Sequence, residues 1–375
     1  MHSNPQQLSL ALIEQIRDQI IAQGSISFHQ YMHMALYQPG LGYYSGGLHK
    51  IGSEGDFITA STIGQLFAKT ISQQFIEIMQ NLSQPIILEL GAGTGQFAYD
   101  VLQALNSAGQ LPDNYYILEV SADFKQQQKT LLAQLPDNIS ERIIWLDKTP
   151  EFEFNGIVFA NEVIDALPVE VFRCHDNSYQ RLMIDWQDGF NEIWADFPQT
   201  LLQQLHDKQL QLPENYRSEF IPHLPEWLHS ISHSLVSGCM LFIDYGFHRK
   251  GYYHPQRNSG TLVCHQRHRA HFNPLIDTGL QDITSFVDFT ALAEAADTCG
   301  LEVVGYTTQS NFLMDLDIHL WLDNQLPYDQ YYDLSNELKK LVMPNQMGEK
   351  FKVMALCRNY PNQLQGFKNN NLHLL

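Results

Sequence analysis

A glycine-rich turn preceded by an acidic residue is the part of the sequence best suited to hold a ligand. Residues 89–95 read Glu-Leu-Gly-Ala-Gly-Thr-Gly, between a predicted strand and a predicted helix. Glycine permits a tight turn and lets a ligand approach the backbone closely. A pyrophosphate-binding turn of the GxGxxG type requires glycine at position 96, where this sequence has Gln96. The residues expected to contact a ligand here are Glu89, Gly91, Ala92, Gly93 and Gly95.

The GxGxG spacing, with an acid two residues before the first glycine, is typical of enzymes that bind S-adenosylmethionine. That ligand carries an ammonium group and a cationic sulfur, which a carboxylate attracts, whereas the same carboxylate would repel a diphosphate. A second acid, Glu119, stands near the end of the next predicted strand. A carboxylate at that position can accept hydrogen bonds from both hydroxyls of a ribose. We therefore predict S-adenosylmethionine as the cofactor, with its ribose bound to Glu119.

Polar residues that follow a later apolar strand are the candidates for the catalytic chemistry. Asn161, Glu162 and Asp165 come directly after a predicted strand over residues 156–160. Ligands of open α/β sheets bind at the carboxyl ends of the strands, so we expect these side chains near the reactive end of the cofactor, with Asn161 also binding it. Glu162 and Asp165 can pair with a cationic acceptor such as a guanidinium or take its proton. The structural alternatives, a turn at Asn161 and a helix N-terminus capped by Glu162, stay open.

Apolar runs that alternate with helical segments predict the scaffold that positions these residues. The pattern indicates an α/β fold with a mostly parallel, Rossmann-like sheet. Asp244, after the fifth predicted strand, follows the same logic as Asn161. The predicted strands cover residues 86–88, 115–120, 142–146, 156–160, 239–243, 301–306 and 352–357.

The length of 375 residues and the long connection after the fourth strand predict more than one structural part. Residues 1–84 are expected to form an N-terminal helical or lid segment, and residues 85–168 with 235–357 the cofactor-binding domain. Residues 169–234, with alternating patterns at 169–174, 180–186 and 192–196, are expected to be an α+β insertion that serves as a lid or acceptor platform. Residues 358–375 are polar and Asn-rich, which predicts a frayed tail.

Composition limits the classes of partner and the compartment. With 41 acidic and 22 basic residues the formal charge is −19, which excludes nucleic acid as a partner and favours a basic protein acceptor. The 5 cysteines are widely spaced without a CxxC, which predicts neither a disulfide framework nor a zinc site. A reducing cytoplasm is the expected location. No apolar run is long enough to predict membrane insertion, and the oligomeric state is not predicted.

Two clusters of notable side chains are interpreted as structural. The first cluster consists of Cys264, His265, His268 and His271. Arg267 and Arg269 lie among these residues and would crowd a cation, so no metal is predicted there. The second cluster is the aromatic run Trp321, Tyr328, Tyr331 and Tyr332, which we expect to pack in a core rather than to line an acceptor groove.

Several blocks of the chain resemble the MidA-type methyltransferases, whose mitochondrial members act in assembly of respiratory complex I. The resemblance implies a class I methyltransferase fold with S-adenosylmethionine as donor, and an arginine of a complex I subunit as the acceptor of the mitochondrial members. It also adds Asp56 to the candidate catalytic residues. The resemblance spans residues 25–357, and its blocks are 39–44, 55–60, 89–95, 161–168, 242–246, 252–255, 260–262, 282–284, 287–289 and 347–353.

This sequence departs from the family pattern after the second of these blocks. Ser61 and Thr62 stand where the family usually has Pro-Glu, and Ala68 replaces a glycine. The departure leaves open an alternative function, a catalytically weak assembly factor that retains the pocket. A more distant alternative is an NAD-dependent oxidoreductase, which Gln96 argues against.

Overall fold

The computed structural model describes residues 4–46, 64–266, 269–323 and 325–375. The strands are β1 Ile26–Ser27, β2 Ile86–Leu90, β3 Tyr115–Leu118, β4 Ile143–Leu146, β5 Phe154–Asn161, β6 Glu170–His175, β7 Ser178–Trp186, β8 Phe190–Asp196, β9 Arg217–Phe220, β10 Leu235–Phe247, β11 Val263–Gln266, β12 Arg269–His271, β13 Asp282–Thr284, β14 Val287–Asp288, β15 Glu302–Thr308 and β16 Phe351–Arg358. The helices are α1 Pro5–Gln23, α2 Phe28–Tyr37, α3 Leu66–Met79, α4 Gln96–Ser107, α5 Ala122–Leu132, α6 Asp137–Ser140, α7 Gln199–Asp207, α8 Leu224–Ser232, α9 Arg249–Tyr252, α10 Phe289–Thr298, α11 Gln309–Asp315 and α12 Tyr328–Val342. Short 3-10 helices cover Ile164–Ala166, Ile318–Trp321, Gln365–Phe367 and Leu372–Leu374.

The chain divides into two compact units. The first unit comprises Met1–Phe57, Ile164–Leu224 and Phe247–Asp288, and the second comprises Ile58–Val163, Pro225–Gly246 and Phe289–Leu375. Helix α3, within the predicted segment 1–84, therefore belongs to the second unit. The lid role of residues 1–84 and 169–234 stays a prediction. None of the helices in the described ranges combines the length and the apolar character needed to cross a membrane.

The second unit is built on one sheet whose strands run in the order β15–β16–β10–β5–β2–β3–β4. From β10 to β4 every neighbouring pair is parallel, whereas β16 is antiparallel to both β10 and β15. The chain moves outward from β2 to β3 and β4 and returns on the other side of β2 with β5. Ligands of open α/β sheets bind beside such a reversal, at the carboxyl ends of the strands. The predicted Rossmann-like sheet is confirmed, and the ends of β2 and β5 lie at its ligand-binding edge.

Continuous apolar runs explain why β2 and β5 lie in the middle of this sheet. Every residue of β2 is buried, and helices cover both faces of such strands. On one face Phe97 of α4 stacks on Phe159 of β5, with ring centroids 4.3 Å apart. Helix α5 begins at Ser121, whose hydroxyl accepts a hydrogen bond from the backbone N–H of Phe124. These contacts fix both helices that follow the candidate ligand residues.

The first unit contains two antiparallel sheets. One has the strand order β1–β7–β6–β9 with β8 paired to β7, and the other has the order β12–β11–β13. Strands β6, β7 and β8 coincide with the three alternating patterns of the sequence, because such patterns bury one face of a sheet and expose the other. Helix α1 covers the buried face with Leu12, Ile16 and Ile20, which pack in one core with Val171 and Leu182.

Two of the cysteines form a single disulfide, which the sequence did not predict. Cys239 on β10 and Cys357 on β16 are direct cross-strand neighbours, and their sulfur atoms are bonded. Both side chains are buried. They are separated by 118 residues in the sequence, and only the register between β10 and β16 brings them together. Cysteine spacing alone could not reveal this pairing.

The C-terminal tail is packed, so the prediction of a frayed tail over residues 358–375 is wrong. Leu364 and Phe367 are buried, and the Phe367 ring lies 5.1 Å from that of Phe312 on α11. The backbone N–H of Asn369 donates to Oδ2 of Asp315 at 2.7 Å. A few apolar residues among the polar ones are sufficient to anchor the tail on the second unit.

The aromatic run after α11 lies on the surface, contrary to the expectation that it packs in a core. Trp321, Tyr328 and Tyr332 are all exposed, while Tyr331 is half-buried. Tyr328 and Tyr332 occupy successive turns of α12, and their rings stack on each other at 6.3 Å. Spacing along a helix shows which side chains share a face, but it does not show whether that face is covered.

Candidate functional site

The glycine turn connects β2 to α4, and its glycines have backbone conformations that other residues avoid. Gly91, Gly93 and Gly95 have φ values of 62°, 54° and 85°, in the left-handed region where a Cβ is unfavourable. A Cβ on Gly91 would lie 3.2 Å from Cγ2 of Val163, and one on Gly95 would lie 3.1 Å from Cγ of Gln128. The turn therefore requires glycine both for its conformation and for the close packing around it.

Glu89 in β2 is a buried carboxyl group with a raised pKa. Only 3% of its surface is exposed, and the Tyr115 hydroxyl donates to its Oε2 at 2.8 Å. Burial, and to a lesser extent the charge of Glu119, raise the pKa of Glu89 from 4.5 to about 8, against the opposing effect of the Tyr115 hydrogen bond. The carboxyl therefore holds its proton near neutral pH, and a cationic ligand beside it would favour release of that proton.

Glu119 directly follows β3, and two donors fix the orientation of its carboxylate. The backbone N–H of Ser121 donates to Oε1 at 2.8 Å, and Nε2 of Gln128 donates to Oε2 at 3.0 Å. A carboxylate offers about four acceptor positions, so it can accept from several donors at once. This geometry suits the predicted contact with a ribose.

Gln128 on α5 connects the turn to Glu119 and was missed in the sequence. Its side chain is fully buried, and Nε2 donates both to the Gly93 carbonyl oxygen at 2.8 Å and to Glu119. Its Oε1 accepts from Nε1 of Trp145 on β4 at 3.0 Å. A polar residue four positions after the buried Phe124 lies on the covered face of α5, and that signal could have identified it.

Asn161 and Glu162 lie at the carboxyl end of β5, where the sequence predicts them. Glu162 has a φ of 55°, a backbone conformation that costs free energy for a residue with a side chain. Its Oε1 accepts from Nδ2 of Asn161 at 3.2 Å, and its Oε2 accepts from the Tyr245 hydroxyl at 3.4 Å. The backbone N–H of Glu162 donates to the carbonyl oxygen of Ile243 on the neighbouring strand at 2.9 Å. Glu162 is therefore held by both its backbone and its carboxylate.

The amide of Asn161 has one buried atom that needs a donor. Its Oδ1 has no hydrogen-bond partner within the described ranges, although it is shielded from solvent. A buried acceptor without a donor is unfavourable. A ligand that donates a hydrogen bond at this edge of the sheet would satisfy it.

The remaining candidates are Asp165, Asp244 and Asp56. Asp165 is buried in a 3-10 helix that belongs to the first unit, and its catalytic role stays a prediction. Asp244 is buried in β10, and its Oδ1 accepts from the backbone N–H of Tyr245 at 2.9 Å. The predicted catalytic residue Asp56 lies outside the described residues, as do positions 61 and 62.

The groups gathered in the second unit fit S-adenosylmethionine. The left-handed glycines, with the buried Ala92 between two of them, leave the backbone accessible where only a small side chain is tolerated. Glu89 supplies a carboxyl group for a cationic centre, Glu119 an acceptor for hydroxyls, and Asn161 an acceptor that lacks a donor.

Comparisons with known proteins agree with this assignment. A crystal structure of a Burkholderia thailandensis protein, bound to S-adenosyl-homocysteine, superposes with a TM-score of 0.94 at 34% identity, covering 99% of this chain and 98% of that chain. The mitochondrial protein arginine methyltransferase NDUFAF7 homologue of Drosophila melanogaster is 28% identical over 92% of this chain and 84% of that protein. The mitochondrial protein arginine methyltransferase NDUFAF7 of Danio rerio is 26% identical over 93% of this chain and 87% of that protein.

These comparisons correct one prediction and decide between the functional classes. The predicted cytoplasmic location is contradicted, because the curated relatives are named as mitochondrial proteins. The oxidoreductase alternative is excluded, because residues 70–307 match the family model described as S-adenosyl-L-methionine-dependent methyltransferase. S-adenosylmethionine is therefore the methyl donor, and the chain belongs to this S-adenosyl-L-methionine-dependent methyltransferase family.

Proposed function

We propose that this methyltransferase transfers the methyl group of S-adenosylmethionine to an arginine side chain of a protein. The observation that carries the proposal is the Glu162 carboxylate, which is held at the ligand edge of the sheet in a strained backbone conformation. The curated relatives named protein arginine methyltransferase support the same acceptor. The formal charge of −19 also favours a basic acceptor over an acidic one.

We assign the donor to the second unit. The turn from Gly91 to Gly95 and Glu89 would hold its amino-acid part, Glu119 would bind its ribose, and Asn161 would accept a hydrogen bond from it. When bound, the donor supplies an electrophilic methyl group on a cationic sulfur. The chain contributes orientation and electrostatics, because the reaction needs no covalent intermediate with the protein.

Glu162 has the chemistry that an arginine acceptor requires. A guanidinium arrives protonated, since its pKa exceeds about 12. A bidentate pair with the carboxylate of Glu162 would fix the plane of the guanidinium and attract its positive charge away from the attacking nitrogen. In the reaction the nitrogen–carbon bond forms, the carbon–sulfur bond breaks and one nitrogen proton leaves. We assign the acceptance of this proton to the carboxylate of Glu162.

The Glu162→Gln variant tests the assignment, because it keeps the size of the side chain and removes its charge. We expect S-adenosylhomocysteine binding, measured by calorimetry, to remain close to wild type. Single-turnover transfer to arginine should fall by about 100-fold or more if the carboxylate also accepts the proton. Tyr245→Phe serves as a matched variant, since it removes one donor to Glu162 but no charge, and its loss should be smaller.

The structural alternative predicts a different outcome for the same variant. If Glu162 only stabilises the start of the following 3-10 helix, the substitution should cost about 1 kcal/mol of stability and leave methyl transfer nearly intact. A normal single-turnover rate with a lowered melting temperature would therefore remove Glu162 from the catalytic residues.

A further inference from the structure

One stretch of the second unit exposes aromatic side chains that a folded protein normally covers. Within it, Leu320 is 69% exposed, Trp321 37%, Tyr328 78% and Tyr332 55%. Single exposed apolar residues are common, whereas neighbouring ones that form a patch mark an interaction surface, and here the rings of Tyr328 and Tyr332 stack on each other. We call the exposed residues between Asp317 and Asp333 the aromatic–acidic segment.

The charges of this segment have one sign. Asp317, Asp323, Asp329 and Asp333 alternate with the aromatic residues, and the sequence from 317 to 333 contains neither lysine nor arginine. None of the four carboxylates has a cationic partner within 4.0 Å in the part of the chain that the structure describes. Among the described residues, Lys69 of α3 lies beside these rings, with its Nζ 5.9 Å from the centre of the Trp321 ring. The surface is therefore aromatic and negative.

The topology places this segment beside the ligand edge of the sheet. Strands β15 and β10 are both antiparallel to β16, so they are parallel to each other and end at the same edge. The chain leaves β15 at Thr308 and forms α11, the 3-10 helix Ile318–Trp321 and α12 before it returns in β16.

Two contacts hold the part of the chain between β15 and β16 against α3. Oε1 of Glu337 on α12 accepts from the backbone N–H of Leu66 at 2.5 Å, and Lys69 lies beside Trp321. Helix α3 in turn packs on α4 through Phe67 and Phe97, whose ring centroids are 5.9 Å apart. Since α4 begins at the glycine turn, these contacts connect the segment, through α3, to the helix that follows the cofactor residues.

We propose that the aromatic–acidic segment docks a basic stretch of the acceptor polypeptide that flanks the methylated arginine, a role that rests on the proposed function. Guanidinium and ammonium groups bind both the faces of tyrosine and tryptophan rings and carboxylates, and this segment offers both. Aromatic residues also dominate the binding free energy of protein interfaces. The negative charge of the segment argues against the other partners that bind exposed apolar surfaces. A second copy of the chain across a two-fold axis would bring like charges together, and nucleic acid or anionic lipid would be repelled.

The test measures docking separately from catalysis. The probe is a fluorescently labelled peptide of alternating glycine and arginine, titrated with the full-length protein in the presence of S-adenosylhomocysteine. A peptide of the same length with citrulline in place of arginine keeps the shape and removes the charge. We expect binding of the arginine peptide only, weakening as salt rises.

Two variants locate the docking surface. Tyr328→Ala with Tyr332→Ala removes the stacked rings, and Asp329→Lys with Asp333→Lys reverses the charge. Each should weaken probe binding by about tenfold or more. The melting temperature should change little, because all four side chains are exposed and only Asp329 stands in the first turn of α12. The matched control is Phe152→Ala with Glu153→Lys, an exposed aromatic and acidic pair just before β5, at the opposite edge of the sheet.

The outcomes distinguish this proposal from the proposed function. Equal probe binding by the wild type and both variants would overturn the docking role, even if the enzyme methylates arginine. Loss of binding in the control alone would overturn it as well. Concentration-dependent self-association that the tyrosine variant abolishes would assign the segment to a second copy instead. If the variants lose probe binding but the wild type transfers no methyl group to arginine, the docking surface stands and the proposed acceptor fails.

Discussion

Gln128 offers a direct test of how the cofactor turn is held, because its buried side chain makes three hydrogen bonds to separate parts of the site. Gln128→Met keeps the length and apolar packing of the side chain but removes these bonds. At about 0.5–1.5 kcal/mol for each bond, the free energy of unfolding should fall by about 2–4 kcal/mol. Two of the bonds end on Gly93 and Glu119, which are assigned to the cofactor. Losing them should cost about 1–2 kcal/mol of binding, or roughly 5- to 30-fold in Kd.

The measurement is calorimetric titration with S-adenosylhomocysteine, together with thermal unfolding. The control is Gln126→Met, on the exposed face of the same helix, which should change neither quantity. If Gln128→Met folds and binds S-adenosylhomocysteine with the wild-type Kd, then Gln128 does not position the turn or Glu119. A lowered melting temperature with unchanged affinity would limit Gln128 to a structural role.

Two further predictions concern the carboxyl groups of the site. Glu119→Ala should weaken S-adenosylhomocysteine binding by about 1.5–3 kcal/mol in calorimetry, the range for hydrogen bonds to a charged group, and unchanged affinity in the folded variant would show that the ribose lies elsewhere. The pKa of Glu89 is about 8 in the folded protein, above its ordinary value of 4.5. Below about pH 4.5 the carboxyl is protonated in both the folded and the unfolded chain, so its burial costs no stability through ionisation. The folded protein loses stability as the pH rises through about 8. Glu89→Gln should therefore raise the melting temperature relative to wild type at pH 9 more than at pH 4, and a pH-independent difference would contradict the raised pKa.

The sequence predicted the parts of the structure that depend on local patterns. Strands β2 and β5 were found because strands buried on both faces are continuous apolar runs. The glycine turn was found because left-handed backbone strongly favours glycine at fixed spacing. Glu119 and Glu162 could be placed at one edge because the carboxyl ends of parallel strands meet there.

The features that the sequence did not predict depend on partners distant in the chain. Gln128 looks like any glutamine of a surface helix until Gly93 and Trp145 are brought against it. The bond between Cys239 and Cys357 requires the register of two strands that are far apart in sequence. Helical spacing grouped Tyr328 with Tyr332 correctly, but whether another element covers that face is a tertiary property.

The most direct test of the central claim compares arginine methylation in cells that contain the protein, lack it, or contain only its Glu162→Gln variant. Protein from each strain is hydrolysed to amino acids, and methylated arginine is quantified by mass spectrometry after labelling with isotopic methionine. We expect a labelled methylarginine species that is present with the wild-type gene and absent from both the deletion and the variant strains. Identical methylarginine in all three strains would contradict an arginine acceptor, and a signal restored in full by Glu162→Gln would contradict the role of its carboxylate.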